Sequence, residues 1–151
     1  MLATYLEKPV DFSFQQIRNC NPTAFLDKVG LEAAKYVRVR GVPYRGSKNK
    51  YLTKSLWLNN NKLKNMKNID QLAGAILEHP HKLQWLDVSF NQLNEIEASL
   101  DKFPNLKMLY LHGNCINDLN EIGKLKVNTN LKHLTLHGIP YRITRDTGPS
   151  Q

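Results

Sequence analysis

The sequence predicts an α/β solenoid, with about four short parallel strands on a concave face and helices or turns on the convex face. Three observations predict it. An eight-residue pattern recurs: apolar, any, apolar, two residues, Asn, any, apolar. It reads Leu56-Trp57-Leu58-Asn59-Asn60-Asn61-Lys62-Leu63, then Leu86-Asp87-Val88-Ser89-Phe90-Asn91-Gln92-Leu93, then Leu109-Tyr110-Leu111-His112-Gly113-Asn114-Cys115-Ile116, and in degraded form Leu134-Thr135-Leu136-His137-Gly138-Ile139-Pro140-Tyr141. The matched positions 61, 91, 114 and 139 lie 30, 23 and 25 residues apart, a period that one strand and one return segment fill. Third, 151 residues with 41 % hydrophobic and 23 % charged side chains suit one domain with a buried core.

Each element follows from its spacing. An apolar-x-apolar triplet makes a strand with one buried face, which only stacked copies can cover. The Asn stands where the chain leaves the strand, and its amide can bridge backbone groups of neighbouring repeats. Leu63, Leu93, Ile96, Ile116 and Leu119 are expected to turn back into the core. Between the first two copies, Ile69, Leu72, Ala73, Ile76 and Leu77 share one face of a helix over 68–79, with Asn68 and Gln71 as a capping pair and Pro80 ending it. The second return has room for a short helical turn carrying Leu100 and Phe103. The third carries Leu119, Ile122 and Leu125 at a spacing of three.

The ends differ from the repeats, giving a division into an N-terminal extension, cap and basic linker (1–50), repeats (51–141) and a short tail without a full cap (142–151). Phe12 and Phe14 alternate with Ser13, as in an extended piece covering the first repeat. Thr23–Val37 reads as helix, and Gly41–Lys50 as a mobile linker. Without a closing cap, the core under Leu131, Leu134 and Leu136 is expected to be poorly covered.

Charge and composition exclude other classes. No run of about 18 apolar residues exists, so no membrane-spanning helix is expected, and Met1–Pro9 lacks the apolar stretch of a secretory signal. Two cysteines, Cys20 and Cys115, make no disulfide framework, which suits a reducing compartment. No phosphate-binding glycine loop or nucleophile elbow occurs, so no enzyme and no cofactor are predicted. Cys115 reads as a small packing residue; Cys20 is assigned no role. The net charge is +8, yet Lys35–Lys67 alone holds ten basic residues and no acid, leaving −2 for the rest. That basic arm, tested best at Arg38, Arg40, Arg45, Lys48 and Lys50, is open to three readings: a solvated linker, a contact for an acidic protein surface, or a nucleic-acid contact. No RNA-binding signature accompanies it, so acidic protein ranks above nucleic acid.

The concave positions are the candidate site: Trp57, Asn59, Trp85, Asp87, Met108, Tyr110, His112, His133, Thr135 and His137. Large aromatics on an exposed face mark a protein interface; alternatively they fold onto one another or are covered by residues 1–50. His112, His133 and His137 are read as polar face residues and not as a metal site.

The motifs together resemble the leucine-rich repeat family, specifically the Sds22-like repeats of the axonemal dynein leucine-rich light chain. The likeness spans roughly residues 52–138, with a weaker echo at Asp11-Phe12-Ser13-Phe14. It implies a non-catalytic adaptor, cytoplasmic and associated with the axoneme of cilia or flagella, with tubulin or axonemal proteins as partners and no small-molecule substrate. Enzyme regulation, as of a phosphatase, and nucleic-acid association are the rival functions. Two departures are visible: Ile139 stands where the family usually has Asn after His-Gly, and the family's C-terminal cap is missing.

Overall fold

The computed structural model describes residues 8–30 and 42–136 and the backbone of 139–142. In chain order the elements are β1 (Val10–Asp11), α1 (Pro22–Val29), β2 (Ser55–Trp57), α2 (Ile69–Ile76), β3 (Trp85–Asp87), β4 (Met108–Tyr110), β5 (His133–Leu136) and β6 (Ile139–Arg142). The strands form one sheet in sequence order. β1 to β5 run parallel, and β6 runs antiparallel to β5.

Strand register stacks like on like. Val10, Leu56, Leu86, Leu109 and Leu134 pair in one row across five strands. The next inward row is Phe12, Leu58, Val88, Leu111 and Leu136, and every side chain in both rows is at most 1 % exposed. Opposite them lie Ile17, Leu63, Leu93 and Ile116, together with Leu72, Ala73 and Ile76 of α2, Leu100, Phe103 and Leu125. Burying each large apolar side chain is worth roughly 1.5–3 kcal/mol, so the core is the sum of many like repeats.

The sheet begins earlier than the sequence reading places it. Residues 10–14 supply a genuine first repeat: Asp11-Phe12-Ser13-Phe14 matches Asp87-Val88-Ser89-Phe90 in sequence and in geometry. In both, the Asp Oδ1 accepts the Ser backbone N–H, at 2.9 and 3.0 Å. In both, the Phe has positive φ, 58° and 54°. Phe14 is therefore exposed (64 %) instead of covering the core. Its return segment holds α1, capped by Asn21 Oδ1 on the Ala24 N–H (3.0 Å), and seats the Phe25 ring edge-on against Phe12 at 4.9 Å. The helix expected to Val37 ends at Val29, and residues 31–37 lie outside those described.

Residues 42–50, expected to be a mobile linker, are built onto the second repeat from Arg45 onward. Tyr51 is buried, bridging Arg45 on one side and Leu77 on the other. Lys50 Nζ donates to the Gly74 carbonyl at 2.6 Å. Turn-forming Gly, Ser and Asn at 46–49 thus close a hairpin-like loop, which composition alone does not distinguish from a linker. α2 also differs at its ends. Asn68 adopts the left-handed conformation (φ 69°) and makes no side-chain cap, and the helix stops at Ile76 because Leu77 is drawn into extended pairing with Tyr51. The later returns are 3-10 helices over Ala98–Lys102 and Leu119–Val127; Leu119 points to solvent, since a three-residue period lets only part of its row reach the core.

At the far end the chain pairs with itself. Ile139–Arg142 returns along β5 in the register Leu136↔Ile139 to His133↔Arg142. Leu131, Leu134 and Leu136 are at most 2 % exposed, which corrects the expectation of an uncovered core there.

The repeat asparagines perform the bridging that their position predicts. Asn91 Nδ2 donates to the carbonyls of Val88 in its own repeat and Leu58 in the preceding one, both at 3.0 Å, while its Oδ1 accepts the Leu63 N–H at 3.0 Å. Asn61 does the same towards Phe12, Leu58, Gln15 and Ile17, and Asn114 towards Val88, Leu111, Asn91 and Leu93. Asn91→Ala would strand the Leu63 N–H in the interior and remove one of the two amide donors on the Leu58 and Val88 carbonyls, which Asn61 and Asn114 still reach; an unsatisfied buried group costs about 1–3 kcal/mol. A loss of about 2 kcal/mol is expected in urea unfolding; a loss below about 1 kcal/mol would show that water replaces the amide.

The residue before each repeat Asn turns left-handed, as at Asn60, Phe90 and Gly113. At Gly113 (φ 74°) an added Cβ would also lie 2.5 Å from Phe90 Cδ1. Gly113→Ala should cost about 2 kcal/mol, half of it conformational. In a Phe90→Asn background the cost should fall to about 1 kcal/mol, a coupling measurable by a double-mutant cycle.

Candidate protein-interaction face

The strand residues that point away from the leucine core form a face over β1 to β5. One row, by register, is Asp11, Trp57, Asp87, Tyr110 and Thr135; the next is Ser55, Trp85, Met108 and His133. Parallel strands sit about 4.8 Å apart, so large side chains in these rows must touch. Trp57 and Trp85 pack edge to face at 5.1 Å, Trp85 and Tyr110 at 5.4 Å. Tyr110 meets His112 at 5.7 Å, and His112 meets Phe90 at 5.2 Å. The result is an unbroken run of five rings.

This packing revises which candidates face solvent. Trp57 (6 % exposed), Asn59, Asp87 and Thr135 are buried, because the larger neighbouring rings lie over the short polar side chains. Asp87 Oδ1 accepts from the Ser89 hydroxyl at 2.6 Å, and Asn59 Nδ2 donates to Asn60 Oδ1 at 2.7 Å. Thr135 Oγ1 accepts the Leu111 N–H at 3.2 Å and lies 2.6 Å from His112 Nδ1. Trp85, Met108, Tyr110 and His112 are half-buried, and His133 is exposed. His137 lies outside the described residues. The accessible strip therefore belongs to β3, β4 and β5. Trp85 Nε1 is buried without a hydrogen-bond partner, a donor left over by the fold.

The basic arm is split in space. Arg45 lies over the Tyr51 ring at 4.8 Å and donates to its hydroxyl at 3.0 Å and to Asn49 Oδ1 at 3.2 Å. Lys50 is taken up by Gly74, whereas Lys48 is exposed. Lys62, Lys64 and Lys67 come after the end of β2, whereas Lys54 precedes its start. Arg38 and Arg40 lie outside the described residues.

Among the described residues no three His, Cys, Asp or Glu side chains converge as a metal site would require, and no helix is long and apolar enough to cross a membrane. A carboxylate outside this face is structural: Glu121 accepts the Ile96 N–H and pairs with Lys124, both at 2.8 Å, and its carboxyl is held below the usual range first by the lysine and then by the backbone N–H.

Comparison with known proteins agrees with the repeat register. A family profile described as Leucine Rich repeats (2 copies) matches residues 81–124, the stretch that holds β3 and β4. The chain is a leucine-rich repeat protein. It is 45 % identical over 135 residues to leucine-rich repeat-containing protein 51 of Macaca mulatta and of Homo sapiens, and 44 % identical to that of Mus musculus. Each alignment covers 89 % of this chain and 66 % of the relative, so the chain spans about two-thirds of the length of the curated relatives it matches. Among solved structures, a chain from "Structure of Chaetomium Mex67:Mtr2 subunits" superposes with a TM-score of 0.48 at 23 % identity, over 61 % of this chain and 57 % of that one. Membership in the leucine-rich repeat family points to protein–protein interaction.

Cys115, expected to be a packing residue, is instead the exposed thiol. Cys20 is buried in the core, where burial foremost, with Glu97 adding, pushes its thiol up to about 12. At pH 8 an aromatic disulfide reagent should titrate one thiol of the folded leucine-rich repeat protein and the second only after denaturation. Rapid reaction of both would contradict the packing around Cys20.

Proposed function

We propose that the chain is a non-catalytic protein–protein adaptor that binds through the accessible strip of β3, β4 and β5, the concave face of a repeat solenoid. The observation that carries this is the run of packed rings and its half-buried part, Trp85, Tyr110 and His112, with Met108 beside Trp85 in register on the adjacent strand. Rigid aromatics cost little conformational entropy on binding and supply most of the energy at protein interfaces. The family profile and the relatives support the adaptor reading. The Sds22-like likeness supports its finer form: a structural component of the ciliary or flagellar axoneme, with tubulin or other axonemal proteins as partners.

Immobilised protein is offered an extract of ciliated cells, and bound proteins are identified by mass spectrometry. Axonemal proteins, tubulin among them, are expected with the parent. Binding of the recovered partner should weaken by about 2 kcal/mol or more in Trp85→Ala. Met108→Glu, at a position with less packing to lose, should weaken it as well, with the melting temperature nearly unchanged. A partner kept by both variants would exclude this face. A phosphatase or ribonucleoproteins in place of axonemal proteins would overturn the axonemal assignment.

A further inference from the structure

The edge of the sheet where the strands begin carries a charge pattern that the linear sequence conceals. Extending the register back from the strands aligns Lys8, Lys54, Gln84, Lys107 and Lys132 on five successive repeats. Each rung is fixed by a hydrogen bond to the one before. The Thr53 hydroxyl donates to the Lys8 carbonyl (2.8 Å), Gln84 N–H to Lys54 (2.8 Å), Lys107 N–H to Gln84 (2.8 Å) and Lys132 N–H to Lys107 (2.9 Å). All four lysines are exposed. At the one rung without lysine, Lys82 lies two residues upstream, also exposed. The segments that build this edge, 8–9, 52–55, 79–84, 104–107 and 129–133, contain no Asp or Glu. Two acids adjoin these segments in sequence: Glu7, before Lys8, lies outside the described residues, and Glu78 faces the 46–48 loop, where it accepts from the Ser47 hydroxyl at 3.3 Å and the Lys48 N–H at 3.4 Å.

We propose that this lysine ladder is a docking edge for an extended acidic peptide segment, separate from the aromatic strip and independent of its role. The dimensions fit. Five rungs, four steps of about 4.8 Å, span about 19 Å, which an extended chain covers in about six residues. Neighbouring rungs lie within the screening length of about 8 Å at 0.15 M salt, so their fields add. A cleft of about 130 Å³ between Leu52, Thr53, Lys54, His79 and Lys82 opens at the second rung and accommodates one carboxylate side chain. Charge complementarity selects an anion, and the surroundings select peptide over nucleic acid. The edge segments contain no Phe, Tyr or Trp on which bases could stack, and the nearby Trp85 ring is flanked edge to face by Trp57 and Tyr110.

The test is fluorescence anisotropy with a fluorescein-labelled peptide of about six glutamates, the span derived above. The triple Lys54→Gln, Lys107→Gln, Lys132→Gln should weaken binding about tenfold at low salt. The triple Lys62→Gln, Lys64→Gln, Lys67→Gln removes equal charge past the strand ends and should change it less than about twofold. Trp85→Ala should leave it unchanged, which separates this edge from the adaptor face. Equal loss in both triples would reduce the effect to net charge and overturn the ladder. Loss in Trp85→Ala would place the peptide on the aromatic strip instead. An oligothymidylate of similar length that binds more tightly than the peptide would make the edge a nucleic-acid contact. Unchanged melting curves confirm that the exposed substitutions leave the fold intact.

Discussion

The inward-facing side-chain amide that follows β2, β3 and β4 is the constraint on which the architecture depends. A strand of three residues offers few backbone hydrogen bonds, and the chain must leave it through a tight turn whose carbonyls face inward. Only a side chain with both a donor and an acceptor, at a fixed reach, can satisfy these groups without water. Asn61, Asn91 and Asn114 each tie their own turn to the preceding repeat. That tie fixes register, and register in turn sets the leucine rows, the run of rings and the lysine ladder. A slip by one residue would turn every row to the other face.

Much of this was legible in the sequence. The pattern of Leu and Asn gave the strands, their parallel order and the inward rows, since period and chemistry agree at those positions. Where the reading fell short, the reasons are physical. β1 escaped because Val10-Asp11-Phe12 replaces the leucines and Gln15 stands where the Asn should be; the amide of Asn61 reaches back to satisfy the first turn instead. The 45–51 loop escaped because turn residues look alike in linkers and in folded hairpins. β6 escaped because its partner strand is supplied by the preceding segment and its direction reverses.

The candidate face was legible as a set of residues but not as a surface. Alternation says which side chains leave the core; it does not say which of them their neighbours then cover. Trp57 and Asp87 are on the expected side and still buried, because rings on strands about 4.8 Å apart overlap. The lysine ladder shows the converse. Its members lie 46, 53 and 25 residues apart in sequence, so a search for charge runs passes over them; aligning the repeats and reading the position two before the first apolar residue of each copy would have found it.

The first repeat also stands apart in the connectivity of the chain. Between β1 and β2 lie 43 residues, against 27, 20 and 22 between the later parallel pairs. Closure entropy grows with segment length, by about 0.6 kcal/mol per doubling. The three strands β3, β4 and β5 thus assemble from the most local contacts in the molecule. By loop closure alone, folding that starts among them and spreads towards the N-terminus takes the entropically easiest route. On that route the segment carrying Lys8, Asp11 and Phe12 docks last, onto a surface already formed by β2.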